Sequence, residues 1–282
     1  MRLIKAIVIL VSCWGALLPV DVVAEYGVFG PSEFSKDKKE VVLVPWNSES
    51  GKKRFERARY KQDFFQLAQT YQPQINPLYC GIASSVIVLN ALRQSKGTIP
   101  SQPELEIPAP PSFGGGQLSF PSYSQLTFLN SETERVKSRQ IIELKNLSKN
   151  GEQDSSTINP GLSLADLQGM LHTYHADAKL EYAADEDILR GAGRFRKTLR
   201  VVLSESASFL VVNFKGNTLG AATSGHITPV GAYDSTSDSV LLLDVASHKN
   251  PWYWVPVKHL YQAMHTKDGI HYRGYLVISE PK

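Results

Sequence analysis

Apolar residues recur at helical spacing in several stretches of the first half of the chain, and in alternating or continuous runs through the second. From Cys80 to Leu92, Ile82, Val86, Leu89 and Leu92 follow the 3.6-residue period just after Pro77, which predicts a helix starting at the cysteine. Residues 53–70, with Phe55, Phe64, Phe65 and Leu67 among charges, predict an earlier helix that Pro73 and Pro77 close off. A third is expected from Ser163, where Ser163 and Asp166 occupy capping-box positions ahead of the stripe Leu164, Leu167, Leu171 and Tyr174. A fourth spans roughly 185–203. The character then changes. "SFLVVNF" (208–214), "HITPVGAY" (226–233), "SVLLLDV" (239–245) and "YRGYLVI" (272–278) predict strands, with a helix over 256–264 before the last. "VVLV" at 41–44 predicts one short early strand. Residues 97–125 hold prolines 100, 103, 108, 110, 111 and 121 and the run Gly114–Gly116, a composition that suits a long loop, either covering a site or lying free on the surface. The sum is an α+β fold, with a helical N-terminal lobe packed on an antiparallel β-sheet C-terminal lobe.

The first 24 residues change the picture of the domains. Arg2 and Lys5 precede an apolar stretch, and Val22-Val23-Ala24 offers a cleavage point, the layout of a secretory signal. A retained anchor fits less well, because Pro19 and Asp21 interrupt a stretch already short for a span. Lipoprotein processing at Cys13 is opposed by the apolar residues that continue beyond it. The expected organisation is a signal over 1–24, a leader over 25–52 and one catalytic domain over 53–282, in a periplasmic or secreted protein without stable membrane association.

Charge adds little. Thirty basic and 27 acidic residues leave a net +3, too balanced for a nucleic-acid footprint. The local run Lys52, Lys53, Arg54, Arg57, Arg59 and Lys61 is interleaved with Glu56 and Asp63 and reads as a solvated helix face. Two cysteines, one of them inside the expected signal, exclude a disulfide framework and a cysteine metal cluster.

Cys80 is therefore a lone thiol in an export-routed chain, either inert core or reagent. The free amide N–H groups of a helix start favour a thiolate there, and Gly81 allows close backbone approach to a ligand. A cysteine nucleophile needs a base, and the base an orienting group. Of seven histidines, His226 stands out. "GHITPVGAYDSTSDSVLLLDVA" predicts a hairpin, and if it is symmetric about Ser235, His226 faces Asp244 across the ladder. Asp244 follows three leucines, so a buried carboxylate there needs a partner, for structure or for chemistry. His172 and His175, three apart on one helix, are too few for a metal site.

Two regions, "QINPLYCGIASSVIVLNAL" and "GHITPVGAYDSTSDSVLLLDVASHKNPWYWVPVKHLYQAM…RGYLVI", resemble the phytochelatin synthase family, as do "GLSLADLQGMLHTYHADAKLEY" and "FLVVNF". The resemblance covers roughly 60–282 apart from 97–160. It implies a papain-like fold and a Cys–His–Asp triad on Cys80, His226 and Asp244. Gln74, six residues before the cysteine, stands where papain-like thiol hydrolases place an oxyanion donor. It further implies γ-glutamylcysteinyl transfer on glutathione. Asp268 and Arg273 would bind the γ-glutamyl zwitterion, and Lys249 a further carboxylate or the incoming glutathione. No cofactor is required by this reading, although a divalent heavy metal (Cd, Zn) enters as a thiolate complex of the substrate. The resemblance also allows a homodimer. Departures occur at Ser247, where plant members carry arginine, and at His248 and Asn250, which replace bulkier residues. With no cysteine after Cys80, they suit a single-domain, prokaryotic type in which hydrolysis prevails over polymer synthesis. A papain-like peptidase or amidase acting on other peptides, and a non-catalytic secreted binding protein, are the alternatives.

Overall fold

The computed structural model describes residues 43–99, 107–118, 121–144, 159–205 and 207–281. The expected signal and most of the leader lie outside them, as does the sequence "NLS" at 146–148, which fits an N-glycosylation acceptor in a eukaryotic host. Helices in chain order are α1 (Glu49–Arg57), α2 (Gln62–Gln69), α3 (Cys80–Arg93), three short turns α4 (Gln125–Phe128), α5 (Thr133–Val136) and α6 (Arg139–Ile142), then α7 (Leu164–Thr173), α8 (Ile188–Val202) and α9 (Val257–Met264). Strands are β1 (Val44–Pro45), β2 (Ile107–Pro108), β3 (Gln117–Leu118), β4 (Asp177–Tyr182), β5 (Ser208–Lys215), β6 (Gly225–Asp234), β7 (Ser239–Leu242), β8 (Tyr253–Pro256), β9 (Lys267–Asp268), β10 (His271–Tyr272) and β11 (Gly274–Ser279).

Seven strands form one sheet in the order β1-β8-β7-β6-β5-β11-β4, antiparallel throughout. Its side chains alternate between two cores, as the pleat dictates. Phe209 and Val211 of β5 join Leu276 and Ile278 of β11 in a core with Ile82, Val86 and Leu89 of α3 and Leu167 and Leu171 of α7. Leu210, Val212 and Phe214 point the other way, toward Phe195 and Leu199 of α8 and Leu260 and Met264 of α9. The α+β class and the helical layer on an antiparallel sheet are as expected. The second helical layer explains why the strands read as near-continuous apolar runs: both faces are covered.

The boundaries need several corrections. The single helix expected over 53–70 is two. Ala58 leaves α1 in extended conformation, and Tyr60 bridges to Tyr233 instead, with its carbonyl accepting that residue's N–H at 2.8 Å and the two rings stacked. The Lys61 ammonium then donates to the carbonyls of Phe55 and Glu56 at the end of α1. Because α1 starts at Glu49 and β1 pairs with β8, the folded body begins before residue 53. Of the "VVLV" strand, Val44 lies in β1 with Pro45, and 41–42 lie outside the described residues. Within 97–125, residues 107–118 form a small hairpin, β2 with β3, turned through Gly114, Gly115 and Gly116, all at positive φ. At Ser163 the capping box is present in full.

Asp63, near the start of α2, is fully buried and neither carboxylate oxygen has a hydrogen-bond partner. Burial pushes its carboxyl up to about 8.

Candidate active site

Cys80 is the first residue of α3 and is half-buried and unpaired. What brings this helix start to the sheet is a close approach between α3 and β6. A Cβ on Gly81 would stand 3.3 Å from side-chain carbons of Ile227 and Leu162, so the glycine makes room for packing, not for a ligand as its sequence position suggested. One turn on, the Ser84 hydroxyl lies 2.7 Å from the Cys80 carbonyl and 3.1 Å from that of Ile227, where it can donate to either. The residue before Ile227 is His226.

His226 is 3% exposed, and its Nε2–H donates to Oδ1 of Asp244 at 2.7 Å. The Cys80 sulfur adjoins the same ring, and with Nε2 committed to Asp244 the remaining nitrogen, Nδ1, is the one left for it. Phe214, the ladder partner of His226 on β5, packs edge-on against the imidazole. Burial is the largest influence on the ring and opposes its charge; the Asp244 carboxylate and the Cys80 sulfur together outweigh it and raise the imidazole to about 10.

The pairing of His226 with Asp244 was expected, but not the route to it. The hairpin turns between Thr236 and Ser237, with Asp238 at φ 49°, so that Asp234 pairs with Ser239 and Tyr233 with Val240. A bulge at Gly231 then shifts the register. A Cβ there would meet Leu243 at 2.9 Å, so the crowding fits a residue without one. β7 ends at Leu242 rather than at 245, and Asp244 reaches His226 from beyond the ladder. The Thr228 hydroxyl donates to the Leu243 carbonyl at 2.7 Å and the Tyr71 hydroxyl to that of Asp244 at 2.6 Å, fixing the chain as it leaves the sheet.

The Asp244 carboxylate is fully buried and hydrogen-bonded from several sides. Oδ1 accepts His226 Nε2–H and the Ala246 N–H at 2.8 Å, and Oδ2 accepts Asn250 Nδ2–H at 3.1 Å. The Tyr253 phenol lies beside it outside hydrogen-bond geometry, and burial, then that carboxylate, push the phenol well above its ordinary range. Asn250, noted in the sequence only as a departure, is thus a direct neighbour of the pair. Its signal was unreadable without the fold.

Gln74 is tied to the Asp244 segment by its backbone N–H, which donates to the Val245 carbonyl at 2.9 Å. Its side-chain Nε2 donates one hydrogen to the Asn76 carbonyl at 3.0 Å, which leaves the second amide hydrogen, and Oε1 is buried without a partner. Gln125 brackets this stretch, accepting the Ile75 N–H and donating to the Pro73 carbonyl.

Asp268 and Arg273 come together. Nη2 of Arg273 lies 3.6 Å from Asp268 Oδ1, Asn213 donates to Asp268 Oδ2 at 3.0 Å, and Asn159 lies near Oδ1. Arg273 also donates to the Thr266 hydroxyl and the Lys267 carbonyl, while its Nε–H is buried and unpartnered. A Cβ on Gly225 would stand 3.1 Å from Nη2, which places the guanidinium over the residue next to His226. Lys249 is not gathered with them: it is exposed on the turn after Asp244. Among the described residues no three His, Cys, Asp or Glu side chains are grouped to hold a metal ion.

The chain is similar to known proteins over most of its length. The chain is 28% identical over 245 residues to glutathione gamma-glutamylcysteinyltransferase 3 of Lotus japonicus, covering 85% of this chain and 43% of that protein. It is 26% identical over 243 residues to glutathione gamma-glutamylcysteinyltransferase 1 of Arabidopsis thaliana (84% and 42%). To glutathione gamma-glutamylcysteinyltransferase of Schizosaccharomyces pombe it is 25% identical over 240 residues (83% and 48%). The chain thus spans less than half the length of these relatives. The family model described as phytochelatin synthase matches residues 36–104 and 125–275, further toward the N-terminus than the sequence motifs reached and omitting most of the proline- and glycine-rich loop. With a match over most of its length and a cysteine, a histidine and an aspartate meeting where α3 abuts β6, the chain belongs to the phytochelatin synthase family.

Proposed function

We propose that this chain is a thiol enzyme that takes the γ-glutamylcysteinyl group from glutathione through a thioester on Cys80. The observation that carries the reading is the ordered contact of Cys80, the His226 ring and the Asp244 carboxylate. The Cys80 sulfur attacks the Cys–Gly carbonyl carbon, the C–N bond to glycine breaks, and His226 Nδ1–H delivers its proton to the leaving amine. Water, deprotonated by the now neutral imidazole, then attacks the thioester and releases γ-glutamylcysteine and the free thiol. Alternatively the amine of a second glutathione accepts the acyl group. The names of the relatives support the donor and the group transferred.

Arg273 and Asp268 suit the γ-glutamyl end. The unpartnered Nε–H and the loosely held Nη2 offer donors to an α-carboxylate, and Asp268 offers an acceptor to the α-amine. Gln74 serves the oxyanion with the second hydrogen of its amide, beside the Cys80 backbone N–H. Water is favoured as acceptor, since Ser247, His248 and Lys249 form an exposed turn with few fixed groups to hold a second glutathione. Cadmium or zinc enters as a thiolate complex of the substrate. Residues 1–24 direct export, and mature protein isolated from the periplasm or medium begins at Glu25.

Mass spectrometry of the products formed from glutathione, with and without cadmium, tests the reading. Release of glycine with γ-glutamylcysteine is expected, with little polymer. No glycine release under either condition overturns it, and equal cleavage of Ala-Cys-Gly overturns the γ-glutamyl assignment.

A further inference from the structure

Asn250 is 4% exposed and uses both ends of its carboxamide. Nδ2 donates to Asp244 Oδ2 at 3.1 Å, and Oδ1 accepts the Ala222 N–H at 3.2 Å. The two bonds differ in what they fasten. Ala246 N–H, on the other Asp244 oxygen, belongs to the same turn as the carboxylate and moves with it. Ala222 lies four residues before His226, on the segment that leads into β6. Asn250 therefore ties the carboxylate to the strand that carries the imidazole, by a path separate from the His226–Asp244 bond itself.

A carboxylate held by one oxygen can still turn about its Cβ–Cγ bond; held by both, it presents a fixed lone pair. We infer that Asn250 is a positioning residue for the proposed reaction, holding Asp244 by its second oxygen so that the first meets His226 Nε2–H. This rests on the reading of Cys80, His226 and Asp244 as the reacting set. The other groups facing Asp244 do not substitute for it. His226 comes from β6, with Cys80 of α3 beyond the ring; the Tyr253 phenol of β8 lies outside hydrogen-bond geometry; and the Tyr71 hydroxyl binds the Asp244 backbone carbonyl. Among the described residues, Asn250 and His226 are the two side chains that donate to this carboxylate.

The test is glycine release from glutathione across pH by the full chain, in wild type, Asn250→Ala, Asn250→Asp, Asp244→Asn and the Asn250→Ala/Asp244→Asn double variant, with melting curves as the check of folding. By analogy with groups that orient a catalytic histidine's environment, Asn250→Ala is expected to lower kcat/KM about 10–100-fold. In the Asp244→Asn background the same change is expected to cost less than about threefold, since the carboxylate it served is gone. Asn250→Asp keeps the acceptor for Ala222 N–H but sets a second carboxylate against the first. The two then share a proton, and the acid limb of the pH profile moves up by about one unit or more. A fold loosened without any effect on Asp244 lowers activity at every pH and leaves that limb in place. Wild-type activity in Asn250→Ala, equal loss in both backgrounds, or an unmoved acid limb in Asn250→Asp each overturns the inference; if Asn250→Ala does not fold, the acid limb of Asn250→Asp decides. Wild-type activity in Asp244→Asn instead overturns the proposed function, so the two failures are distinguishable.

Discussion

His226 and Asp244 are bonded at 2.7 Å, yet they are not partners in the β6–β7 ladder, which ends two residues short of the aspartate. The contact is made by a chain that has left the sheet and is pinned by hydroxyl groups. It fixes an order of sulfur, imidazole and carboxylate, from which the first prediction follows.

Replacement of Cys80 by Ala or Ser is expected to abolish glycine release, and His226→Ala to be nearly as severe. Asp244→Asn should be equal or milder, with a loss of up to ~10⁴-fold by analogy with the aspartate of serine-protease triads. Steady-state kinetics on glutathione measures all three. A wild-type rate in any one of them removes that residue from the mechanism.

The raised imidazole gives a pH prediction with a definite sign. Its proton is held by the folded protein up to about 10, against 6.5 for an ordinary histidine. The stabilisation this gives is fully present below 6.5 and is lost as pH rises through about 10. The melting-temperature difference between wild type and His226→Gln should therefore shrink between those limits. Activity that needs the imidazolium as acid falls over the alkaline part of the same range. Cys80, beside that charge, should react with iodoacetamide at pH 6 in wild type and more slowly in His226→Gln; equal rates would break the pairing.

Asp63 brings a penalty rather than a gain, though stability again falls as pH rises. A carboxyl raised to about 8 is neutral in the folded state at pH 7 but ionised in the unfolded chain. Its burden on stability is absent below pH 3.8 and grows as pH rises through that value to about 8. Asp63→Asn is expected to raise stability above pH 8 by an amount on the order of a few kcal/mol, and to change little near pH 4. Urea unfolding at both pH values reads this, and a gain larger at pH 4 would contradict the burial argument.

Arg273 should affect binding before chemistry. Arg273→Ala is expected to raise KM for glutathione about tenfold or more with a smaller change in kcat, as befits loss of a carboxylate clamp. Gly225→Ala crowds the guanidinium from the strand side and should act in the same direction. If both variants lower kcat alone, the γ-glutamyl end binds elsewhere.

Much of this was legible in the chain. The helix beginning at Cys80, the capping box at Ser163 and the apolar runs of β5, β6 and β11 follow from periodicity and local chemistry. The split between α1 and α2 did not, because Ala58–Lys61 contains no glycine or proline; it comes from the bridge of Tyr60 to a strand more than 170 residues away. The hairpin register was misjudged because nothing in the run Ser235–Asp238 says that Asp238 takes positive φ, or that Gly231 is a bulge. That the correct His–Asp contact emerged from a wrong register reflects side-chain reach at the end of a ladder. Asn250 was invisible for a related reason: its partner Ala222 sits on a loop whose course depends on the finished sheet.

Part of the fastening of this site is made of hydroxyls: Ser84 on the Cys80 backbone, Thr228 and Tyr71 on the backbone around Asp244, each within bonding distance of a carbonyl. Such bolts are indifferent to thiols. A disulfide in the same places would be open to attack by a thiol substrate at every encounter. A scaffold locked by hydroxyls can be bathed in reductant while thiol chemistry, among the described residues, stays at residue 80.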